Sequence, residues 1–391
     1  MLKILPTSIS GPAVLLFAAV LAGASQAQPA PASDPNRPTS LADMQGATTL
    51  DVERYRPRVA LAGCTAKSLK QRKPGAGLAK ALAAAQAYSD SQGGFGLVVM
   101  RDGAVIHEHY GQGVTATRPV VTASMAKSVL GLMIGIALDR KLIGSVDDPL
   151  ETYLPEWAGD PRGRITIAQA LQMQTGLAPS NFQAVLLAPD VSKAAMATPL
   201  AGTPGASFGY NNAISQLLLT ALDRQLRKAG QGGYARFLER ELWCPLGNGP
   251  ASLWVDAGGT PRGYAGLNAS AHDWARIGEL IRNQGRSGKR QLVPKSWIAA
   301  MATPSPANKQ YGYQLWLGRE WTAQRRYSPE NPVTVKHSEA FVAPDLVYFD
   351  GFGGQRVYVV PSRRLTIVRL GQVSMAWDDA LVPNTIVRAL D

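Results

Sequence analysis

The chain has 391 residues, enough for one large domain or two, and its 46% hydrophobic content supplies a sizeable core, which excludes a disordered protein. Forty Lys and Arg against 28 Asp and Glu give a formal net charge of +12, yet only 17% of residues are charged. No Lys/Arg block or aromatic-basic stripe appears, so nucleic acid is not an expected partner.

Residues 1–27 read as a secretory signal peptide: Lys3, an apolar run from Ala13 to Ala22, then small residues Ser25 and Ala27 ahead of Gln28. The run is too short to span a bilayer comfortably, so the expectation is a bacterial protein exported to the periplasm or beyond, with no stable membrane span after signal removal. Residues 28–74 read as a Pro/Ala-rich leader, partly disordered, with folded structure expected from near Gly75. Cys64 and Cys244 would mature in an oxidising compartment, where a bridge between them would contribute roughly 5 kcal/mol in the chain-entropy model. Whether they meet is left open by the sequence. Leu61-Ala62-Gly63-Cys64 has the form of a lipid-attachment box but lacks a long apolar run in front of it.

Leu78 to Tyr88 has helical spacing, and Phe95 to Met100 followed by Asp102-Gly103 and Ala104 to Tyr110 predicts a hairpin. His107 and His109 share one strand face; no third ligand accompanies them, so the pair is read as solvent-facing and neither a metal nor a cofactor is expected. From Ser124 to about Ala300 the signals are mostly helical, with helices expected over Ile165–Leu177, Asn212–Leu226, Tyr234–Leu242 and Trp274–Asn283. After Tyr311 the period changes to two, with strands expected over 311–317, 346–349, 356–360 and 365–370, then a mixed helical pattern from Trp377 that Pro383 is positioned to kink.

Strands at both ends with helices between them define an α+β fold. An antiparallel sheet is built from both chain ends and flanked by terminal helices, with an inserted, mostly helical lobe. The domain is expected over 75–391, its α/β part from 75–121 and 301–391, and the helical lobe from 122–300.

The stretch that carries chemistry is Ser124-Met125-Ala126-Lys127-Ser128, followed by the apolar run Val129 to Leu138. A helix apolar on every face is buried, so a lysine in its first turn loses its hydration. Bringing a buried lysine from pKa about 10.4 to near 7 costs on the order of 4–5 kcal/mol. The neutral amine so produced is a base, and residues three apart on a helix face the same way, which puts Lys127 within reach of the Ser124 hydroxyl. Further on, Tyr210-Asn211-Asn212 sits just before a helix; a phenol beside a neutral lysine can move the serine proton to a leaving group, and Asn212 can orient Lys127 or a substrate carbonyl.

From about Gly75 onward the chain resembles the serine β-lactamase-like hydrolases: class C β-lactamases, D,D-peptidases, family VIII esterases and 6-aminohexanoate-dimer hydrolases. The resemblance rests on Ser124-Met-Ala-Lys127, Asp148-Pro-Leu with Tyr153-Leu-Pro-Glu, Met173-Gln-Thr-Gly-Leu177, Tyr210-Asn-Asn212, Pro245-Leu-Gly247 and Gly351-Phe-Gly-Gly-Gln355, in that order. It implies a nucleophilic Ser124, Lys127 and Tyr210 as the base and acid, and an oxyanion site at the amides of Ser124 and Gln355. Phe352, Gly353, Gly354 and Asn212 are then expected to border the substrate. Relatives that bind penicillins carry K-T-G or H-T-G where this chain has Phe352-Gly353-Gly354, and a phenyl ring cannot hold a carboxylate; Lys336 and Arg356 are the nearby candidates for that charge. The resemblance therefore implies hydrolysis of a small-molecule ester or amide through an acyl-Ser124 intermediate. The alternatives are a D,D-peptidase or β-lactamase, and a cell-wall or β-lactam sensor that does not turn over.

Overall fold

Apolar strands from the two chain ends meet in one sheet, and the computed structural model describes this arrangement over residues 37–65, 68–179, 185–328, 331 and 333–390. The expected signal at 1–27 lies outside the described residues. Strands β1 (Arg58–Leu61) and β2 (Lys70–Gln71) precede helix α1 (Ala76–Ser91) and the hairpin of β3 (Gly94–Arg101) and β4 (Ala104–Tyr110). Strand β5 (Val120–Val121) leads into helix α2 (Ala126–Asp139), which is followed by α3 (Asn212–Lys228), β6 (Ala251–Trp254), β7 (Leu267–Ala269) and α4 (Ala271–Arg282). The C-terminal part holds β8 (Trp316–Leu317), β9 (Val347–Gly351), β10 (Gln355–Val360), β11 (Leu365–Gly371) and helix α5 (Leu381–Arg388).

The main sheet has the order β8-β9-β10-β11-β3-β4-β2. Its seam joins the two ends of the chain, with Val98 opposite Val368 and Val99 opposite Ile367. The pairs are antiparallel except β2 on β4, so the sheet is mixed where a purely antiparallel one was expected. Residues Phe95 to Met100 are buried whichever way they point, as a strand covered on both faces requires. Helix α4 packs on β3, β10 and β11, while α1 packs on β3 and on α5. Pro383 lies in the first turn of α5, where its missing N–H removes no helical bond, and the helix runs on to Arg388.

Four further expectations are corrected. The segment before Gly75 is part of the fold: β1 pairs with β6, Met44, Tyr55 and Leu61 join the core, and Cys64 is bridged to Cys244 with Cα atoms 4.9 Å apart. Its stability comes from contacts about 190 residues away in sequence, which local composition does not register. The lobe is also less helical than its pattern suggested, because β6 and β7 form a second sheet, in the order β1-β6-β7-β5, from strands too short to show a period. Finally, the helix expected over 165–177 covers only Ile167–Leu171, since Met173 and Gly176 take left-handed conformations, and the strand expected over 311–317 shrinks to β8 beyond a turn at Gln314.

Helix α2 is buried without a break from Ala126 to Ala137. Trp297 packs against it, its indole donating to the Gly131 carbonyl at 2.9 Å and lying where a side chain on Gly135 would stand, 2.0 Å from an ideal Cβ. Gly135→Ala should therefore destabilise the protein by about 1–3 kcal/mol through overpacking, read by denaturant unfolding. An unchanged midpoint would show that Trp297 is free to move aside.

Candidate active site

Ser124 occupies a 3₁₀ turn, Ala123–Met125, at the head of α2. The turn is pinned from both sides: Thr122 donates its hydroxyl to the Leu267 carbonyl at 2.8 Å, and the Thr122 carbonyl lies 2.3 Å from where a Cβ on Gly351 would be. Only glycine at 351 lets β9 approach so closely. Ala123, just before the serine, holds a left-handed φ of 47°, which costs an alanine about 1–2 kcal/mol.

Lys127 is 1% exposed and its amine has three oxygen partners: Ser124 Oγ at 3.0 Å, Asn212 Oδ1 at 2.8 Å and the Tyr264 carbonyl at 2.9 Å. A neutral amine has two N–H donors and one lone pair. Two of the three partners are carbonyl oxygens that only accept, so the N–H groups go to them and the lone pair is left for the Ser124 hydroxyl. Burial pushes the amine well below its ordinary value of 10.5, and the Asp350 carboxylate, pulling the other way, does not offset it.

The sequence of α3 explains the placement of Asn212. Asn211 is the N-cap, accepting from the Ala213 amide at 2.9 Å, which leaves the Asn212 side chain to reach Lys127. One turn later, Gln216 accepts from the Gly263 amide at 3.0 Å and donates to the Pro261 carbonyl at 3.1 Å, fixing the loop that carries Tyr264. One helix thus positions two of the lysine's three partners.

Tyr210 is half-buried, its ring centroid 4.7 Å from the Lys127 amine and its hydroxyl in hydrogen-bond contact with Ser124. Burial first, and then Tyr311 and Asp350, hold the phenol well above its ordinary pKa of 10.0, so it is a proton donor at neutral pH. Its ring packs against Tyr327 at 5.2 Å and Trp316 at 5.7 Å, and its amide donates to the Tyr327 carbonyl at 3.1 Å.

The glycine-rich hairpin fits its expected role only in part. Gly351 and Gln355 are cross-strand partners, and Phe352, partly exposed, faces the cleft wall with Ala123. The Gln355 side chain is buried and exchanges two hydrogen bonds with the backbone of Gly371, at 2.8 and 2.9 Å, locking β10 to β11. Gly354 is buried, with Trp377 and the Arg369 guanidinium each 2.9 Å from an ideal Cβ, and together with Phe352 and Gly353 it lines a shallow cavity. Gly353 has φ 74° and presses on the Val373 backbone, so turn geometry and packing account for both glycines.

Behind the site lies a buried ion network that the sequence reading missed. Asp350 binds Arg325 at 2.5 Å and Arg356 at 2.7 Å, and Asp379 binds the same two arginines at 3.2 and 2.8 Å. Burial alone would lower the Arg325 pKa, but Asp350 beside it holds it well above its usual value. Tyr327 donates to Asp350 at 3.3 Å, linking the network to the backbone of Tyr210. The sequence signal was the pair of charges in apolar strands, Asp350 in β9 and Arg356 in β10, which are direct cross-strand partners. Arg356, once a candidate to hold a substrate carboxylate, is consumed here, and Lys336 extends into solvent beside Asp378 at 3.6 Å.

A family model described as Beta-lactamase matches residues 78–380, and the chain belongs to that family, one of serine hydrolases. A 6-aminohexanoate-dimer hydrolase of Paenarthrobacter ureafaciens is 24% identical over 226 residues, 52% of this chain and 56% of that one, so the match spans little more than half of that relative's length. Among solved structures, the "Putative 6-aminohexanoate-dimer hydrolase from Bacillus anthracis" superposes with a TM-score of 0.69 at 19% identity, covering 87% of this chain and 91% of that one. A family VIII carboxylesterase superposes with a TM-score of 0.61 at 16% identity, covering 82% and 99%. At these identities the likeness concerns the fold, an α+β β-lactamase/transpeptidase-like architecture.

A lysine whose folded pKa is depressed binds fewer protons than the unfolded chain at every pH between the two values. Wild-type stability should therefore rise with pH, relative to Lys127→Met, by about 1.4 kcal/mol per unit across that window up to about pH 10.4. Parallel stability–pH profiles of the two proteins in denaturant would mean that the amine is charged in the fold.

Proposed function

We propose that this protein hydrolyses small esters or amides through an acyl-Ser124 intermediate. The observation that carries the reading is the Lys127 amine, 3.0 Å from Ser124 Oγ with its other two contacts spent on carbonyl oxygens. As Ser124 attacks the substrate carbonyl, its proton passes to Lys127; the tetrahedral oxyanion is received by the Ser124 amide, with the Gln355 amide as the second proposed donor. Tyr210 gives its proton to the departing alcohol or amine and is reprotonated by the lysine. Water then attacks the acyl-enzyme by the same steps in reverse. Asn212 serves as a positioning residue for the amine.

Phe352 at the position of the penicillin-binding lysine or histidine, together with the engagement of Arg356 in the ion network, favours a substrate without a carboxylate at that place. This ranks an esterase or oligoamide hydrolase above a D,D-peptidase, a β-lactamase or a sensor. The reading includes export, which the signal-like residues 1–27 and the Cys64–Cys244 bridge support. No helix among the described residues is long and apolar enough to cross a membrane.

The test is turnover of a short p-nitrophenyl ester, a chromogenic cephalosporin, a D-Ala-D-Ala peptide and a linear aminohexanoate dimer, each with Ser124→Ala as control. Ester or dimer cleavage well ahead of the cephalosporin is expected, and a stable adduct without turnover would point to the sensor. Lys127→Ala and Tyr210→Phe should each lower kcat by at least about a hundredfold. Near-normal rates in either would remove that residue from the mechanism.

A further inference from the structure

A small cavity lies against Ala123, the residue before the nucleophile, and Tyr210 is not among the residues that line it. Ala123, the neighbour of Ser124, and Phe352 form its inner wall; Met44, Thr49 and Tyr55 close it from outside. Trp254 and Val373 complete an almost wholly apolar lining. Its volume, about 20 Å³, corresponds to one methyl-sized or water-sized group.

The outer wall is the segment before Gly75, and it is fastened rather than loosely laid on. Thr49 accepts from the Val121 amide at 2.8 Å, one strand residue from the serine turn, and its hydroxyl donates to the Gly371 carbonyl at 2.8 Å. Trp254 donates its indole N–H to the Arg56 carbonyl at 3.1 Å and meets the Tyr55 ring edge-on at 5.2 Å. Met44, 1% exposed, ends the short helix Leu41–Met44, which is capped by Ser40 and Asp43.

The surroundings of Tyr210 and of this cavity are chemically different. The aromatic group around Tyr210, formed by Tyr311, Trp316 and Tyr327, contributes nothing to this cavity. In the acyl-transfer reading, on which this inference rests, the leaving group departs toward the proton donor Tyr210, so the part that stays on Ser124 must lie on the opposite side. We propose that this cavity is the acyl pocket, and that Met44, Thr49 and Tyr55 make the N-terminal segment a specificity element that limits the enzyme to short, uncharged acyl groups. Its apolar lining excludes charged acyl chains, and its size admits acetyl readily while longer chains must displace Met44 or Val373.

The test compares kcat/KM for p-nitrophenyl acetate, butyrate and hexanoate in wild type, Met44→Ala and the milder Met44→Val. Wild type should lose at least about tenfold from acetate to hexanoate, the order of discrimination expected when methylenes do not fit. Both variants should raise the hexanoate-to-acetate ratio, Met44→Ala by at least about fivefold and more than Met44→Val. The ratio is taken within one preparation, so a reduced folded fraction cancels. An unchanged ratio in both variants, or a wild type that prefers hexanoate, overturns the pocket assignment while leaving the hydrolase reading intact. No turnover of any ester or of the linear aminohexanoate dimer overturns that reading itself, and with it an acyl role for the cavity.

Discussion

The constraint on which the site depends is the removal of one amine from water. Lys127 enters a helix whose next ten residues are all buried, and among the described residues its Nζ is reached by two carbonyl oxygens and one hydroxyl. Neutrality is the cheaper state in that setting, since an ammonium there would give up its hydration for only three contacts. In the proposed reaction, a lysine that elsewhere would be a solvated cation serves as a base aimed at a single serine. The energetic cost is carried by the apolar packing of α2, which is why the most thoroughly buried helix of the fold and its chemically active turn are the same piece of chain.

Around that amine the fold arranges supports from distant segments. Helix α3 supplies Asn212 directly and holds the Tyr264 carbonyl through Gln216, while β9 closes on the serine turn at Gly351. The paired Arg325–Asp350 and Arg356–Asp379 charges balance one another within a fully buried network behind the site, from which the Asp350 carboxylate still acts on Lys127 and Tyr210, raising both pKa values. Such a network is costly to assemble and more costly to leave incomplete, which suits a device that fixes the position of Tyr327 and, through it, Tyr210.

What the sequence disclosed follows from the range of each interaction. Ser124 and Lys127 are three residues apart, and Tyr210 and Asn212 flank a helix start, so local spacing and the order of short motifs sufficed to single them out. Strands β3, β4, β9, β10 and β11 of the main sheet were legible because they are long and bounded by turns, whereas β2 and β8, two residues each, carry no period of their own. Tyr264 was invisible because it acts through a backbone carbonyl that any residue possesses. Arg325 and Asp379 announced nothing, since their meaning arises only when strands far apart in sequence come together. The segment from Thr39 to Cys64 was misread as leader because it follows a Pro- and Ala-rich stretch and shows no periodicity of its own, whereas its order comes from pairing with β6 and bridging to Cys244.

The claim at the centre of this account is the charge state of one side chain, and the most direct measurement is an NMR titration of the Lys127 ¹³Cε and ¹⁵Nζ resonances, assigned by their loss in Lys127→Arg. The account predicts a midpoint well below the ordinary lysine value of 10.5, with the amine neutral in the working range of the protein. A Lys127 midpoint at or above that value, with the ammonium present at neutral pH, would contradict it.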